Sequence, residues 1–482
     1  MNTGMIRYML GKLLLILSVL MLPSLILGFA YSEPRQVLLS FLASMAISAI
    51  LGYLLSFRKP KTQDFYSQES IVLVALAWFS LSAVGALPFY LSSGASLVDA
   101  LFESFSGFTT TGASVLSHTL DSLPRSLLFW RSFTLMIGGM GMLVFIIQVL
   151  PNLGSHGLYI MRAEMPGPNF GKLESKVSSS INILYGIYLS MTAVLTLLLR
   201  LGGVPWFDSV LLAFGTAGTG GFNFYPNSVA HYGNPYVEVV IAIGMMVFGM
   251  SYIFFYLIAI RKYRQVLRSE ELHWYLGIIL VSVVLISIGV YQRYDSFGSM
   301  LRDVFFTVSS VNSTTAYTTV DFRPWPVYTH VILLFLMFVG AMSGSTSSGL
   351  KVARLAVFVK SIRQEMRRMV SPDRAVPINY DGKELSQREQ RSIAFYLMTY
   401  LAVFLILLAV ISLDTKTFSS AFSAVIATLN NVGGGLDLLG PSMDYSALHD
   451  RTKLIMCLAM VLGRLEIYPV LILFAPSTWR KV

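Results

Sequence analysis

The sequence predicts an all-α polytopic membrane protein: four repeats of helix, loop and helix behind an N-terminal two-helix hairpin, about ten spanning helices in all. Three observations predict it. Of 482 residues, 55% are hydrophobic and only 12% charged, with a mean hydropathy of +0.67, whereas a soluble domain is about a quarter charged. Apolar runs of about eighteen or more residues, each long enough to cross a bilayer, recur along the chain. One order of apolar run, Gly/Ser/Thr-rich middle and apolar run returns four times between basic loops.

Apolar runs near 8–30 and 37–57, joined by a short connection from Tyr31 to Arg35, form the opening hairpin. Arg7 and Lys12 precede the first run and no small-residue cleavage site follows it, so it reads as a span and not a removable signal peptide. Basic residues then gather at Arg58, Lys59 and Lys61, Arg162 to Lys176, Arg261 to Arg268, Lys360 to Arg391, and Arg480 with Lys481. With an even number of spans between them these loops share one side, and the charge bias makes it the cytoplasm, with both termini there. The formal charge of +10 therefore reflects topology and not nucleic-acid binding. Cys457 stands alone inside an apolar run, which excludes an intrachain disulfide or a thiolate metal site, and the six histidines have no ligand spacing.

The units run from about Ser70 to Leu150, Ile181 to Ile260, Leu272 to Phe358 and Ile393 to Phe474. The corresponding domains are 1–62 for the hairpin, then 63–155, 156–262, 263–370 and 371–482 for the repeats. Their middles read DALFESFSGFTTTGAS from Asp99, DSVLLAFGTAGTGGF from Asp208, DVFFTVSSVNSTTAYTT from Asp303 and SAFSAVIATLNNVGGGL from Ser420. Each opens on a residue able to cap a helix, continues apolar, and breaks into small residues, which predicts a half-helix and a loop. Gly112, Gly220, Ala316 and Gly433 follow the opening residue by twelve or thirteen positions.

Irregular backbone cannot face lipid, because each unpaired polar group there costs several kcal/mol. Four such loops at matching positions imply a shared water-filled path. Thr110, Thr111 and Gly112, then Thr219 and Gly220, then Thr314, Thr315 and Ala316, then Asn431, Val432 and Gly433 supply the carbonyls and hydroxyls that could replace the hydration shell of an alkali cation. Half-helices aiming their partly negative C-terminal ends at the path favour a cation. A small-residue packing motif accounts for one loop in isolation, and is the better reading of Gly138 to Gly141, which has no repeated equivalent. A coupled solute carrier would carry inverted repeats and buried carboxylates, whereas these units run in one direction. An enzyme would need a nucleophile or a metal cluster within a span, and none is visible.

These four loops, with TTTGAS, GTGGF, STTAYTT and NNVGGG, resemble the TrkH/KtrB/HKT superfamily of potassium transporters, and the hairpin with the closing LGRLEIYPVLIL is most similar to its TrkH branch. The resemblance implies a channel-like potassium uptake subunit whose helix/pore-loop/helix repeats have pseudo-fourfold symmetry, working by symport or voltage-driven conduction. It implies a homodimer in the lipid of a bacterial inner membrane, and regulation by a cytoplasmic TrkA-type ring that carries the nucleotide. Potassium at the loops is then the only metal and this chain holds no cofactor. The alternative of the same fold is a Na+-permeable or Na+/K+ transporter, since Ala316 stands where family members usually carry Gly, a loss associated with weaker exclusion of sodium.

The second span of the third unit is interrupted by GAMSGSTSSGLK, in which Gly340, Ser343, Gly344, Ser345, Thr346, Ser347, Ser348, Gly349 and Lys351 form a segment too polar for lipid. It is similar to the family's intramembrane gating loop. It imitates a phosphate-binding loop only imperfectly, as Leu350 intervenes before Lys351 and no strand precedes it. Arg464, mid-span, is implied by the resemblance to be a barrier to cations beneath the filter, the plain alternative being an ion pair with another span. Glu466 lies too near in sequence to share its face, and Glu103 reads as structural, hydrogen-bonded behind the filter.

Overall fold

A computed structural model describes residues 1–60, 66–141, 177–371, 377–435, 440 and 444–479. The opening hairpin pairs Thr3–Leu20, continued after a bend by the Pro-started Leu22–Ala30, with Arg35–Ser56. Lipid offers helices no hydrophobic gain on association, so small residues and interhelical hydrogen bonds bring them together. A Cβ on Gly11 would lie 2.6 Å from the carbonyl oxygen of Gly52, and one on Gly52 would lie 2.8 Å from that of Gly11. Ser48 donates to the carbonyl of Leu14 at 2.7 Å and Ser18 to that of Met45 at 3.0 Å.

Four times thereafter a long apolar helix leads to a shorter buried helix, a loop and a returning helix. Ser67–Gly85 with Leu87–Ser92 precedes Leu97–Phe108 and Arg125–Gly139. Val177–Leu201 precedes Trp206–Gly218 and Pro235–Phe248. Glu270–Val290 precedes Phe297–Asn312 and Val327–Val339. Gln387–Ile411 precedes Phe418–Leu429 and Asp450–Arg464.

Three of the returning helices do not run through. The second bends by 92° into Tyr252–Ala259. The third stops at Gly340 and resumes as Val352–Val370. The fourth stops at Arg464 and resumes as Tyr468–Phe474 after Glu466 and Ile467, both at positive φ. Among the described residues six helices are long and apolar enough to cross a membrane, or seven with the bent pair taken as one span. The sequence expectation of ten counts each interrupted helix as one crossing, and residues 142–176, which follow the first returning helix in the chain, lie outside the described residues.

The long helices turn Leu and Ile outward, as Leu280, Ile288 and Leu405 do, while the short helices are buried within them. On the side carrying the basic loops a two-stranded hairpin pairs Asn379–Tyr380 with Lys383–Glu384. Its Tyr380 is buried against Ala353, Ala356 and Val357. Its Asp381 accepts the N–H of Glu270 at 2.7 Å, and so caps a helix whose own N-cap, Ser269, makes no side-chain cap.

Candidate functional site

Each short helix starts a little earlier than the sequence order suggests. Asp99, Asp208, Asp303 and Ser420 are not the caps; Ser96 accepts the N–H of Asp99 at 3.1 Å and Thr417 that of Ser420 at 3.2 Å, while Pro205 and Ser296 precede the other two helices. The acids are used sideways instead. Asp99 meets Lys453 at 2.6 Å, Asp208 accepts from Tyr225 and Tyr232 at 3.1 and 2.9 Å, and Asp303 lies 3.6 Å from Arg302, which also holds Glu238 at 2.7 Å. These contacts tie the short helices to their surroundings at the end where the chain enters.

At their other ends the four loops share one backbone pattern. The N–H groups of Thr110, Thr219, Thr314 and Asn431 each reach the carbonyl three residues back, at 3.0, 3.2, 3.1 and 3.3 Å. Those of Thr111, Gly220, Thr315 and Val432 each reach the carbonyl five back, at 2.8, 3.1, 2.9 and 2.8 Å. Thr110, Thr219, Thr314 and Asn431 stand in the left-handed region, at φ of 56°, 55°, 61° and 50°, where a β-branched residue is an outlier. Two positions on, φ is positive again at Gly112, Gly221, Ala316 and Gly433, with values of 81°, 52°, 59° and 81°. This corrects the sequence register. Gly220 is the counterpart of Thr111, and Gly221, thirteen residues after Asp208, is the counterpart of Gly112.

The loops meet one another. A Cβ on Gly112 would overlap the carbonyl oxygen of Gly220, one on Gly221 that of Thr315, and one on Gly433 that of Thr111. Ala316, Tyr317, Gly434 and Gly440 line a common small cavity, so the third and fourth loops are also neighbours. Side chains interlock behind them. Thr109 and Thr111 hydroxyls lie 2.8 Å apart, as do those of Ser313 and Thr315. The amide nitrogen of Asn431 donates to Thr111 Oγ1 at 2.9 Å and to the carbonyl of Met460 at 2.8 Å. Tyr445 donates its hydroxyl to the carbonyl of Gly433 at 2.9 Å.

The 340–351 segment lies against these loops and is closed by tight hydrogen bonds. A side chain at Gly340 would overlap the carbonyl of Ser348. Leu350 and Lys351 donate backbone N–H to Phe338 and Val339 at 3.0 and 2.9 Å, and the Lys351 ammonium donates to the carbonyl of Ser347. Ser347 Oγ and Thr314 Oγ1 are 3.1 Å apart. The start of the segment is held by Glu271, whose carboxylate accepts the N–H of Ser343 at 2.6 Å, and by backbone bonds from Met342 to Gly249 and from Tyr252 to Gly344, both 3.1 Å. Gly344, Ser345, Thr346, Ser348 and Gly349 line a cavity of about 70 Å³ with Arg464 and Glu466.

Arg464 spans the two parts. It donates to Thr110 Oγ1 at 3.0 Å, to the carbonyl of Thr346 at 2.6 Å, and to those of Gly138 and Gly139 at 2.6 and 3.0 Å. Its guanidinium lies 5.6 Å from the Trp78 ring centroid. Glu466 pairs with Arg354. Gly138 and Gly139 combine close packing with this acceptor role, since a Cβ on Gly138 would overlap the carbonyl of Phe108 and one on Gly139 would lie 2.7 Å from Gly218 Cα.

Residues that sequence reasoning passed over include Gly221, Glu271, Arg131 and Tyr445. Arg131 and Glu271 carried the available signal, a charge next to or within an apolar run. Glu103, expected to be structural, accepts from Ser114, from the N–H of Val115 and from Arg131.

A sequence model of the TrkH family, described as cation transport proteins, matches residues 37–290 and 274–481. The Trk system potassium uptake protein TrkH of Salmonella typhimurium is 34% identical over 490 residues, and TrkG of Escherichia coli 33% over 492 residues, with 100% of both chains covered in each comparison. The crystal structure of the potassium transporter TrkH from Vibrio parahaemolyticus has the same fold at a TM-score of 0.87 and 28% identity, with 100% of each chain covered. This chain therefore belongs to the TrkH family of cation transport proteins.

Proposed function

We propose that the chain is a channel-like potassium uptake subunit whose four loops form a pseudo-fourfold selectivity filter. The observation that carries this reading is the recurrence, in four buried and mutually touching loops, of a left-handed residue followed two positions later by a second positive φ. Left-handed threonines cost about 1–3 kcal/mol each and persist only where the surroundings enforce them. A backbone so arranged turns successive carbonyls to one side, the geometry that replaces a cation's water. The relatives' names, which specify potassium uptake, favour potassium as the ion.

In this reading the 340–351 segment is the gate and Arg464 a barrier beneath the filter. The chain crosses the bacterial inner membrane ten times with both termini cytoplasmic, pairs as a homodimer, and is regulated by a cytoplasmic nucleotide-binding ring. Sodium permeation is the second reading, and the observation favouring it is Ala316 at φ 59°. The test is potassium flux into proteoliposomes, with growth at low potassium in cells lacking other uptake systems. Gly112→Val, Gly221→Val and Gly433→Val should each abolish or derange flux while inserting normally, and native flux and selectivity in all three would end the filter reading.

A further inference from the structure

Immediately beyond the first two loops lies an ion pair that no lipid or solvent reaches. Glu103, in the Leu97–Phe108 helix, is 0% exposed and Arg131, in the returning helix, 2%. The Glu103 carboxylate accepts from Arg131 Nε, from Ser114 Oγ at 3.0 and 3.1 Å, and from the N–H of Val115 at 3.1 Å. Arg131 Nη1 donates to the carbonyl oxygen of Asn223, and the guanidinium lies 3.8 Å from the Phe222 ring centroid. In the register fixed by the backbone, Ser114 and Asn223 are the same position, two residues past Gly112 and Gly221. One fork of charge-assisted hydrogen bonds thus joins equivalent points of adjacent loops. The other short helices carry no charge where the first has Glu103: seven residues before the left-handed residue they hold Leu212, Thr307 and Ala424.

We propose that Arg131 and Glu103 are positioning residues that set the alkali-cation preference of the filter, an inference resting on the reading of the loops as that filter. An ion cage discriminates by its dimensions only if its walls cannot close onto a smaller ion. Glu103 fixes the first loop by two donors of its own chain, and Arg131 carries that fixed point to the second loop through the Asn223 carbonyl. Both groups are desolvated, and a planar guanidinium holds two directions at once where an ammonium holds a point. The first and second loops are thereby locked at one separation. Among the described residues the third loop has no ion pair at that place: Thr318, two residues past Ala316, is held only by neutral hydrogen bonds, its N–H to Ser228 Oγ at 3.2 Å and its carbonyl from the N–H of Ala230 at 3.4 Å, so the charged brace and Ala316 act in opposite senses on selectivity.

The test uses the full chain in proteoliposomes, with potassium-to-sodium permeability ratios read from bi-ionic reversal potentials. Glu103→Gln and Arg131→Ala should lower the ratio by about tenfold, the lower end of the scale of losing a hydrogen bond to a charged group. Arg131→Lys, which keeps the charge but not the fork, should recover stability in detergent without recovering the ratio. Ser114→Ala, which leaves the pair intact, should give a smaller fall in the same direction, and decides the matter if the charge variants fail to insert. A native ratio in folded Glu103→Gln and Arg131→Lys, or in Ser114→Ala should those not fold, would overturn the proposal. Failure of the filter reading itself would be distinguishable, since Gly112→Val would then conduct normally.

Discussion

Ala316 stands at φ 59° and is buried, in the position that glycine occupies in the other three loops. Left-handed backbone costs an L-residue about 1–2 kcal/mol, which glycine avoids. The loop holds Ala316 there through N–H bonds from Thr315 and Ala316 to the Ser310 carbonyl, at 2.9 and 3.2 Å. The strain lowers the cost of rotating this carbonyl out of line, so sodium should permeate measurably alongside potassium. Ala316→Gly should shift the reversal potential under bi-ionic conditions towards potassium; identical selectivity in native and variant protein would mean that the third loop coordinates through other groups.

Arg464 is the other residue on which a single substitution is decisive. It satisfies four oxygens at once, on Thr110, Thr346, Gly138 and Gly139. Arg464→Ala removes a positive charge from beneath the proposed filter and releases the contact to Thr346, so basal cation flux should rise. It also leaves buried carbonyls short of a donor, at about 1–3 kcal/mol each where water cannot replace it. A lower melting temperature with raised flux is therefore expected, whereas lower stability with unchanged flux per inserted molecule would make Arg464 a structural tie only.

Among elements, the interrupted third returning helix carries the most consequence. Its 340–351 segment is anchored at its start by Glu271, touches Thr314 through Ser347, and passes directly into Val352–Val370. Deleting part of Ser343 to Ser348 shortens the proposed plug, and should raise basal flux and weaken dependence on the proposed cytoplasmic partner. Normal regulated flux from a folded deletion variant would exclude the segment as the gate. The hairpin around Asp381 steadies the same region, since it caps the Glu270–Val290 helix that presents Glu271. Asp381→Ala should cost about 1 kcal/mol, the loss of one cap, visible as faster amide exchange over the first turn of that helix.

The short helices show where element-level reading succeeds and where it slips. Small residues after an apolar run located all four loops, because a helix end and a hydropathy break are local properties. Gly220 was set opposite Gly112, one residue out, because adjacent glycines follow Asp208 by twelve and thirteen positions and hydropathy does not tell them apart. The bonds to Gly215 assign Gly221 to that place, and its spacing of thirteen from Asp208 is the one the other three loops share.

At the scale of the whole molecule, flux should be carried by alkali cations alone and be indifferent to added organic solutes, as proteoliposome measurements would show. The apolar helices, the small-residue loops and the broken third helix were written in hydropathy and small-residue content, which act over a few turns of chain. What only the tertiary structure decided are the contacts between distant parts: Arg464 on Thr110 and Thr346, Asn431 on Thr111, Arg131 on Asn223, and Asp381 on Glu270. Residue types show that such groups must find partners inside a membrane. Which partner each finds depends on how separately legible helices and loops pack against one another, and no local pattern encodes a distance between residues about ninety or more positions apart.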